Sequence, residues 1–309
     1  MSLTLRIATR KSQLALWQAE HVAALLRAAH PGVAIELVPM LTQGDRIQDR
    51  SLAAIGGKGL FIKELEVAIA ERRADIAVHS MKDVPADLPP GFTIGAVLTR
   101  ADARDALVTK SGVARLGDLP LGAHLGTSSL RRQAQLRALR PDLKIDALRG
   151  NVDTRLRKLD EGGMHAIVLA CAGLIRLGLE SRITARLDPK LCLPAVTQGI
   201  IGIECREGDS RTSELLLALE DPATRLVMQA ERAFSRRLGG SCQSPIAAYA
   251  ELHADQIELH GLVAEPDGSR LLRDTLKGSH DDPEALGLRL AERLLAAGAG
   301  PLLERLRTG

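Results

Sequence analysis

Three sets of residues in this chain could take part in chemistry. Cys242 lies in a loop-like segment rich in glycine and serine, where its thiol could act as a nucleophile. Asp83 stands beside Lys82 and could move a proton or stabilise a cation. Arginines, which hold carboxylates and phosphates, are dense from Gly126 to Arg186. Together the three sets predict covalent chemistry on a polyanion.

The basic residues are strongly biased towards arginine. The chain holds 32 Arg and 9 Lys, and ten of the arginines fall between Arg131 and Arg186. Arginine presents a rigid planar fork that grips a carboxylate or phosphate through two hydrogen bonds. A GC-rich genome would also raise the arginine content, but it does not explain the local cluster. The bias therefore favours recognition of small anions.

The composition argues against several classes of protein. The net charge is only +3, so the chain is not a polycation, and aromatic residues make up 2%, which leaves few platforms for stacking nucleic-acid bases. The cysteines form no C-x-x-C pair. Neither a signal-peptide core nor an uncharged run of membrane-spanning length is visible. We expect a cytoplasmic protein with no metal, nucleic-acid or membrane partner.

A predicted strand ends and a helix begins at Thr127–Ser129, a run of small hydroxyl residues. Backbone N–H groups and the dipole at a helix N-terminus favour a bound anion. Arg131 and Arg132 fall in the first turn, where a positive charge is unfavourable unless an anion compensates it. The alternative is an ordinary serine or threonine cap followed by solvated arginines.

The same strand–turn–helix pattern recurs at Arg149–Arg155, and Arg176 follows the next strand. The carboxyl ends of parallel strands share one edge of an α/β sheet, where ligands bind. We therefore expect the arginine-bearing loops on one edge. If their partners are ligand carboxylates, replacing Arg131, Arg132 or Arg155 by leucine should leave the fold largely intact.

Each reactive side chain also has an ordinary structural explanation. Asp83 could simply pair with Lys82, and His79 is better explained as a packed, hydrogen-bonded strand residue than as a catalytic base. Cys242 lies among Gly, Ser and Gln, as in an exposed loop, and no histidine near it in sequence supports a Cys–His hydrolase. The remaining cysteines have apolar neighbours and fit an inert, buried role: Cys171, Cys192 and Cys205.

Strand and helix patterns predict two α/β domains. Residues 1–99 show a β-α-β-α-β order and residues 105–193 repeat it, so both should form parallel-rich sheets with right-handed crossovers. A strand predicted at Gly199–Glu204 could return to the first sheet. The first domain would then comprise 1–99 with 199–217.

A smaller α+β domain is predicted for residues 222–309. A long helix comes first and precedes the loop that carries Cys242. Alternating strands follow, with a hairpin turn at Pro266–Gly268, and two helices finish the chain.

Ordered segments along nearly the whole chain closely resemble the porphobilinogen deaminase (hydroxymethylbilane synthase) family. These segments are Arg6–Arg10, Gly56–Phe61, Asp75–Pro85, Gly126–Arg132, Arg149–Val152 and Leu193–Val196. The resemblance implies a transferase of heme and tetrapyrrole biosynthesis. Such an enzyme joins four porphobilinogen molecules head to tail, releases ammonia and yields the linear tetrapyrrole hydroxymethylbilane. The resemblance also implies a cytoplasmic monomer.

The family's fold and cofactor are implied by the same resemblance. The fold is two lobes like type II periplasmic binding proteins plus a small C-terminal domain. A dipyrromethane cofactor would be held as a thioether on Cys242, and Asp83 would be the catalytic carboxylate. The remaining matching positions would bind the acetate and propionate groups of the cofactor and the growing polypyrrole: Arg10, Ser12, Lys82, Thr127, Ser128, Ser129, Arg131, Arg132, Arg149, Arg155 and Arg176.

Two places depart from the family pattern. Thr197 and Ile200 stand where glycine and a small residue are common, and a β-branched Thr197 narrows the backbone angles open to a possible hinge. Ser241 and Ser244 flank Cys242 where glycine and valine are common. Both serines are small enough for cofactor attachment to survive.

Two other functions fit part of the sequence. A non-catalytic, two-lobed anion-binding protein would explain the arginine loops, but it leaves Cys242, Asp83 and the C-terminal domain without a role. A transferase that forms an ordinary acyl intermediate on cysteine is a weaker alternative. The mass of the intact protein separates these three functions.

Overall fold

A computed structural model describes the chain over residues 3–46, 62–241 and 244–308. The family motif at Gly56–Phe61 and the cofactor candidate Cys242 lie outside these residues. The chain divides into two compact units. Their bounds are Met1–Ala101 with Ile200–Arg225, and Asp102–Gly199 with Leu226–Gly309.

The described residues form strands and helices that alternate over most of the chain. The strands are β1 (Leu3–Arg10), β2 (Val33–Met40), β3 (Ile76–Ser80), β4 (Phe92–Val97), β5 (Asp105–Thr109), β6 (His124–Gly126), β7 (Lys144–Asp146), β8 (Ala166–Ala170), β9 (Ala185–Arg186), β10 (Ile201–Arg206), β11 (Ile246–His253), β12 (Gln256–Ala264) and β13 (Leu271–Ser279). The α-helices are α1 (Gln13–Ala29), α2 (Gln43–Arg46), α3 (Lys63–Ala70), α4 (Leu130–Leu139), α5 (Val152–Glu161), α6 (Cys171–Arg176), α7 (Ser210–Leu217), α8 (Pro222–Arg237), α9 (Pro283–Leu294) and α10 (Gly300–Thr308).

The first unit is built on one five-stranded sheet in the order β2-β1-β3-β10-β4. β1 pairs in parallel with β2 and β3, as the β-α-β-α-β pattern predicts. β10 pairs antiparallel with both β3 and β4. The predicted return of a strand after residue 199 to the first sheet is therefore confirmed.

Helix α1 shows why this part of the chain folds as it does. Ser12 caps the helix, since its side chain accepts a hydrogen bond from the Ala15 N–H (3.4 Å). The helix ends at His30, immediately before Pro31 and Gly32. Its buried residues recur with helical spacing and face the sheet: Ala15, Gln18, Ala19, Val22, Ala23 and Leu26.

The second unit contains two sheets. One has the order β7-β6-β8-β5-β9, in which β6 pairs in parallel with β7 and β8 while β5 pairs antiparallel with β8. The other is the antiparallel sheet β11-β12-β13, which packs against α8 and α9. Gly261 of β12 lets the helices approach, because a Cβ there would lie 2.7 Å from the Phe234 ring. The predicted hairpin turn is confirmed, with Gly268 at a φ of +79°.

Strand β4 and helix α7 of the first unit lie outside the sequence prediction, as does the short helix α2. β4 has a weak strand pattern, because Gly95 interrupts it and only its last two residues are buried. Gly95 is needed there, since a Cβ would lie 2.7 Å from Leu216. Helix α7 carries Leu216 and was also missed. Strand β4 and helix α7 form through contact with each other, which a local pattern does not reveal.

The α/β fold class with an α+β C-terminal part is confirmed, with sheets that are mixed and not purely parallel. The division into three domains stays a prediction. No helix in the described ranges combines the length and apolarity that a bilayer span requires. Among the same residues, no group of His, Cys, Asp or Glu side chains is arranged to hold a metal ion.

Candidate functional site

In the first unit, the predicted site residues lie at one edge of the sheet. β1 ends at Arg10 and the neighbouring parallel strand β3 ends at Ser80, so both carboxyl ends share this edge. Ser12 follows as the cap of α1, and a 3₁₀ turn over Met81–Asp83 follows β3. Gln18 of α1 ties the two ends together by donating a hydrogen bond to the Ser80 Oγ (2.8 Å).

The backbone that carries Asp83 is held firmly. The Met81 N–H donates to the Ile200 carbonyl (3.0 Å), and the Val84 N–H donates to the Met81 carbonyl (3.1 Å). The Met81 side chain is buried in space left by Gly202 of β10, where an added Cβ would overlap the Met81 sulfur. This packing fixes the turn and leaves Asp83 half-buried at its end.

The Asp83 carboxylate has no protein partner among the described residues. A pair with Lys82, which was the ordinary explanation for this carboxylate, is therefore not formed. His79 is packed, as predicted. Its Nε2 bonds the Glu204 carboxylate (2.8 Å), and both side chains are buried.

In the second unit, loops at the carboxyl ends of β6 and β7 contact each other. The Thr127 N–H donates to the Asp146 carbonyl (2.9 Å), and the Ser128 Oγ donates to the Leu148 carbonyl (3.0 Å). Ser129 caps α4 by accepting a bond from the Arg132 N–H (3.5 Å), so the cap that the ordinary alternative proposed is present. This loop therefore positions the helix that carries the two adjacent arginines.

Arg131 and Arg132 both bind the buried carboxylate of Asp105 at the start of β5. Arg131 Nη1 lies 2.8 Å from Asp105 Oδ2, and Arg132 Nη2 lies 2.7 Å from Asp105 Oδ1. Burial alone would raise the pKa of Asp105, but the charges and hydrogen bonds of the two arginines outweigh it and hold that pKa well below its usual range. The carboxylate is therefore ionised.

The sequence suggested a ligand anion or solvent beside these two arginines, and the structure shows that both also have a protein carboxylate as partner. A positive charge in the first turn of a helix needs a nearby anion, and Asp105 supplies it. Asp105 lies 26 residues before Arg131 in the sequence. Replacing Arg131 or Arg132 by leucine would leave Asp105 partly uncompensated, and breaking a buried ion pair typically costs about 3–5 kcal/mol. Such variants are therefore expected to lose stability, contrary to the sequence-based prediction.

Sequence reasoning overlooked Asp105 because it falls at a predicted boundary between domains. A signal was present, since a carboxylate directly before the apolar run Ala106–Val108 is buried and needs partners. Gln198 was overlooked for the same reason. Its Nε2 donates to Asp105 Oδ1 (2.9 Å) and to the Ala103 carbonyl (2.7 Å).

Two of the other predicted arginines of the second unit, Arg155 and Arg176, contact the backbone. Arg155 Nε donates to the Gly150 carbonyl (2.7 Å), at a glycine whose φ is +112°. Arg149 lies half-buried in the same loop after β7. Arg176 ends α6 and donates to the Gly199 carbonyl (2.7 Å), and burial lowers its pKa to about 10. All three stay on the edge formed by the ends of β6, β7 and β8.

Cys242 lies outside the described residues, but the described residues on either side of it form several hydrogen bonds. Helix α8 ends at Arg237, Gly239 follows it with a φ of +64°, and the Gly240 N–H donates to the Ser235 carbonyl (2.9 Å). The Ser244 N–H donates to the Ser241 carbonyl (3.0 Å), and the two serine hydroxyls lie 3.1 Å apart. The two serines that depart from the family pattern therefore contact each other.

The remaining cysteines are buried, as predicted. Burial raises the pKa of the Cys171 and Cys192 thiols to about 12, and it also raises the pKa of Cys205. Cys192 lies beside the arginine pair, with its Sγ 3.4 Å from Asp105 Oδ2. None of these three thiols has the lowered pKa that a nucleophilic cysteine needs.

The fold and these loops define an α/β protein with arginine-bearing loops at the carboxyl ends of parallel strands. Residues 5–214 match the family model "Porphobilinogen deaminase, dipyromethane cofactor binding domain", and residues 226–296 match "Porphobilinogen deaminase, C-terminal domain". A porphobilinogen deaminase of Stenotrophomonas maltophilia (strain K279a) is 58% identical over 300 residues, which are 97% of this chain and 99% of that protein. One of Xanthomonas axonopodis pv. citri (strain 306) is 57% identical over 303 residues, 98% and 99% of the two chains. The chain belongs to the porphobilinogen deaminase family.

Solved structures with a related outline are more distant. The periplasmic VFT2 domain of BvgS from Bordetella pertussis is 15% identical, with a TM-score of 0.42. The match covers 70% of this chain and 86% of that domain. An amino acid transporter substrate-binding protein of Streptococcus pneumoniae is 13% identical, with coverage of 74% and 91% and a TM-score of 0.38.

The described residues fit the polyanionic cofactor that the family implies. The Nε atoms of Arg131 and Arg132 are buried, and neither has a hydrogen-bond partner among the described residues. A buried donor left without a partner is costly, and a ligand carboxylate would satisfy it. Asp105 binds one terminal nitrogen of each arginine, and the Nε–H of each is the group that a ligand carboxylate would satisfy.

Proposed function

We propose that this chain condenses four porphobilinogen molecules head to tail, with release of ammonia, to give hydroxymethylbilane. The observation that carries this function is the family match over nearly the whole chain, which includes the segments bearing Asp83 and the arginine loops. Each substrate ring carries an acetate and a propionate group. An arginine-rich set of strand-end loops suits a product whose negative charge grows with every ring.

Asp83 is the catalytic carboxylate in this proposal. Departure of ammonia leaves a cationic carbon on the substrate, conjugated with the pyrrole N–H. A carboxylate that is held in place but not neutralised by the protein can accept a hydrogen bond from that N–H and stabilise the positive charge. The anchored turn at Met81 and the lack of a described ion-pair partner for Asp83 support this role.

The dipyrromethane cofactor would be held in two ways, by a covalent bond to a cysteine and by side chains that bind its carboxylates. When bound, it supplies the electron-rich pyrrole carbon to which the first substrate is joined. Cys242 would hold it covalently as a thioether. The residues that would bind its carboxylates, and those of the growing chain, are Arg10, Ser12, Lys82, Thr127, Ser128, Ser129, Arg131, Arg132, Arg149, Arg155 and Arg176.

The mass of the intact protein tests the proposal directly. Protein purified from cells should be heavier than the chain by two linked pyrrole units, and peptide mapping should place the addition on Cys242. The variant Cys242→Ser should lack the addition and should not convert porphobilinogen. An unmodified active chain, or an adduct on Cys171, Cys192 or Cys205, would contradict the proposal.

A cytoplasmic location, a monomeric state and the three-domain division belong to the same proposal. Sedimentation of the purified protein tests the monomer. A two-lobed binding protein without catalysis would bind porphobilinogen but would release no ammonia and carry no adduct. Ammonia release therefore separates the two functions.

A further inference from the structure

We propose that Asp105 is a positioning residue that orients Arg131 and Arg132 towards the carboxylates of the cofactor and growing chain. This inference rests on the proposed function. It concerns a residue that contacts neither substrate nor cofactor and acts only through the two arginines. The nitrogens of each guanidinium differ in their hydrogen-bond partners, and this difference supports the role.

Asp105 is shared between the two arginines, one oxygen to each. Its side chain is fully buried, with Oδ2 bonded to Arg131 Nη1 (2.8 Å) and Oδ1 bonded to Arg132 Nη2 (2.7 Å). Gln198 Nε2 gives Oδ1 a further hydrogen bond (2.9 Å). The carboxylate is therefore fixed from three directions, and its position determines that of both guanidinium groups.

Backbone carbonyls also bind one terminal nitrogen of each arginine. Arg131 Nη1 also donates to the Leu193 carbonyl (2.6 Å), and Arg132 Nη1 donates to the Val168 carbonyl (2.8 Å). The protein therefore grips each arginine at the tip of its side chain. What it leaves unused in both is the Nε–H, which is buried and has no acceptor among the described residues.

The Nε–H lies on the side edge of a guanidinium, the edge that can bind a carboxylate through two parallel N–H groups. Both arginines are held at the tip of the side chain, and the Nε–H of each has no acceptor among the described residues. They are thus oriented to offer this edge to an acceptor. Without Asp105, two adjacent cations would repel each other and could turn away. One carboxylate between two guanidiniums leaves a net positive charge, so the pair still attracts an anion.

The test measures how fast apoprotein acquires the covalent adduct. Apoprotein is incubated with porphobilinogen, and the modified fraction is followed by intact mass spectrometry. Asp105→Asn keeps the size of the side chain but removes its charge. We expect acquisition to slow about 10- to 100-fold, the range observed when a residue that orients a metal ligand is replaced.

Two controls separate positioning from general destabilisation. Asp102→Asn removes a neighbouring carboxylate that pairs with Arg104 and Arg186 instead. Leu107→Ala truncates a buried side chain of the same strand and lowers the thermal midpoint without touching the arginines. Both variants should acquire the adduct at close to the unaltered rate at a temperature where they are folded.

A second variant keeps the negative charge of the carboxylate but changes its position. Asp105→Glu retains the carboxylate but displaces it by one methylene, so it serves even if Asp105→Asn fails to fold. Positioning predicts slow acquisition in folded Asp105→Glu. Acquisition at the unaltered rate in either Asp105 variant, or an equal loss in Leu107→Ala, would overturn the inference. Absence of any adduct on the unaltered protein would instead overturn the proposed function.

Discussion

Two aspartates of this chain show how surroundings assign different roles to the same side chain. Asp83 is half-buried at the end of an anchored turn and has no described partner, so its charge is available to a substrate. Asp105 is fully buried and balances two arginines, so its charge is used inside the protein. The first suits stabilisation of a transient cation, and the second suits a fixed support for other side chains.

Replacement of Asp83 by asparagine should separate catalysis from folding. Asparagine has nearly the same shape but no negative charge to offset the developing cation. We expect turnover to fall about a hundred- to thousand-fold, as when one preorganised group is removed from an active site. The thermal midpoint should hardly change, because no described ion pair is lost. Near-normal turnover would refute the role, and a large fall in the midpoint would mean that Asp83 is structural.

For single residues, the sequence was sufficient to predict the roles of groups close to strand ends. It was not sufficient to predict ion pairs between residues that are distant in sequence. Ser129 as a cap and His79 as a packed residue were predictable from local pattern. The partnership of Asp105 with Arg131 was not, because it joins the start of one strand to a helix further along the chain. Only the folded sheet brings these charges together.

At the scale of elements, the segment around Thr197 is under backbone strain. Thr197 has a φ of +57°, a left-handed conformation that a β-branched residue rarely adopts. The segment is held there by Glu231, which accepts the Thr197 N–H (2.5 Å) and the Ala250 N–H (2.8 Å). The glycine that is common in the family at this position would adopt this conformation without strain.

Thr197→Gly should therefore be neutral or stabilising, in spite of the lost side chain. A residue held in an unfavourable backbone region costs on the order of 1–3 kcal/mol, which glycine would relieve. Thr9→Gly is the matched control. Both threonines are buried, and each hydroxyl donates to a carbonyl, Val196 for Thr197 (2.7 Å) and Ala15 for Thr9 (3.0 Å).

Thr9 lies inside β1 and is not among the residues with positive φ. Its replacement by glycine should lower the free energy of unfolding by about 1 kcal/mol or more, measured by urea denaturation. An equal loss for both variants would show that Thr197 is not strained. In the sequence, Thr197 is notable only because it departs from the family pattern. No local pattern predicts a left-handed conformation at this residue.

Across the whole molecule, thiol reactivity should report the state of the cofactor. Cys171 and Cys192 are buried with a pKa of about 12, and Cys205 is buried with a raised pKa. At pH 8 the thiolate fraction of Cys171 or Cys192 is only about one in ten thousand, and the raised pKa of the buried Cys205 also lowers its thiolate fraction. These three thiols should therefore resist alkylation in the native state.

Native protein treated with iodoacetamide at pH 8 should consequently gain no label when the adduct occupies Cys242. Apoprotein should gain one label, on Cys242. The count of labels by intact mass spectrometry checks both results, and denatured apoprotein provides the control with four reactive thiols. Native labelling at Cys171, Cys192 or Cys205 would contradict the burial on which the expectation rests.

The place of β10 between β3 and β4 also constrains how the chain can be made on the ribosome. β4 is synthesised early, but its neighbour β10 emerges only after β5–β9, which form a sheet of the other unit. Until then β3 and β4 present strand edges that lack this partner, and such edges invite pairing with other chains. The first unit therefore closes only after the α/β sheet of the second has been translated. A nascent chain interrupted before Ile201 would be at risk of aggregation.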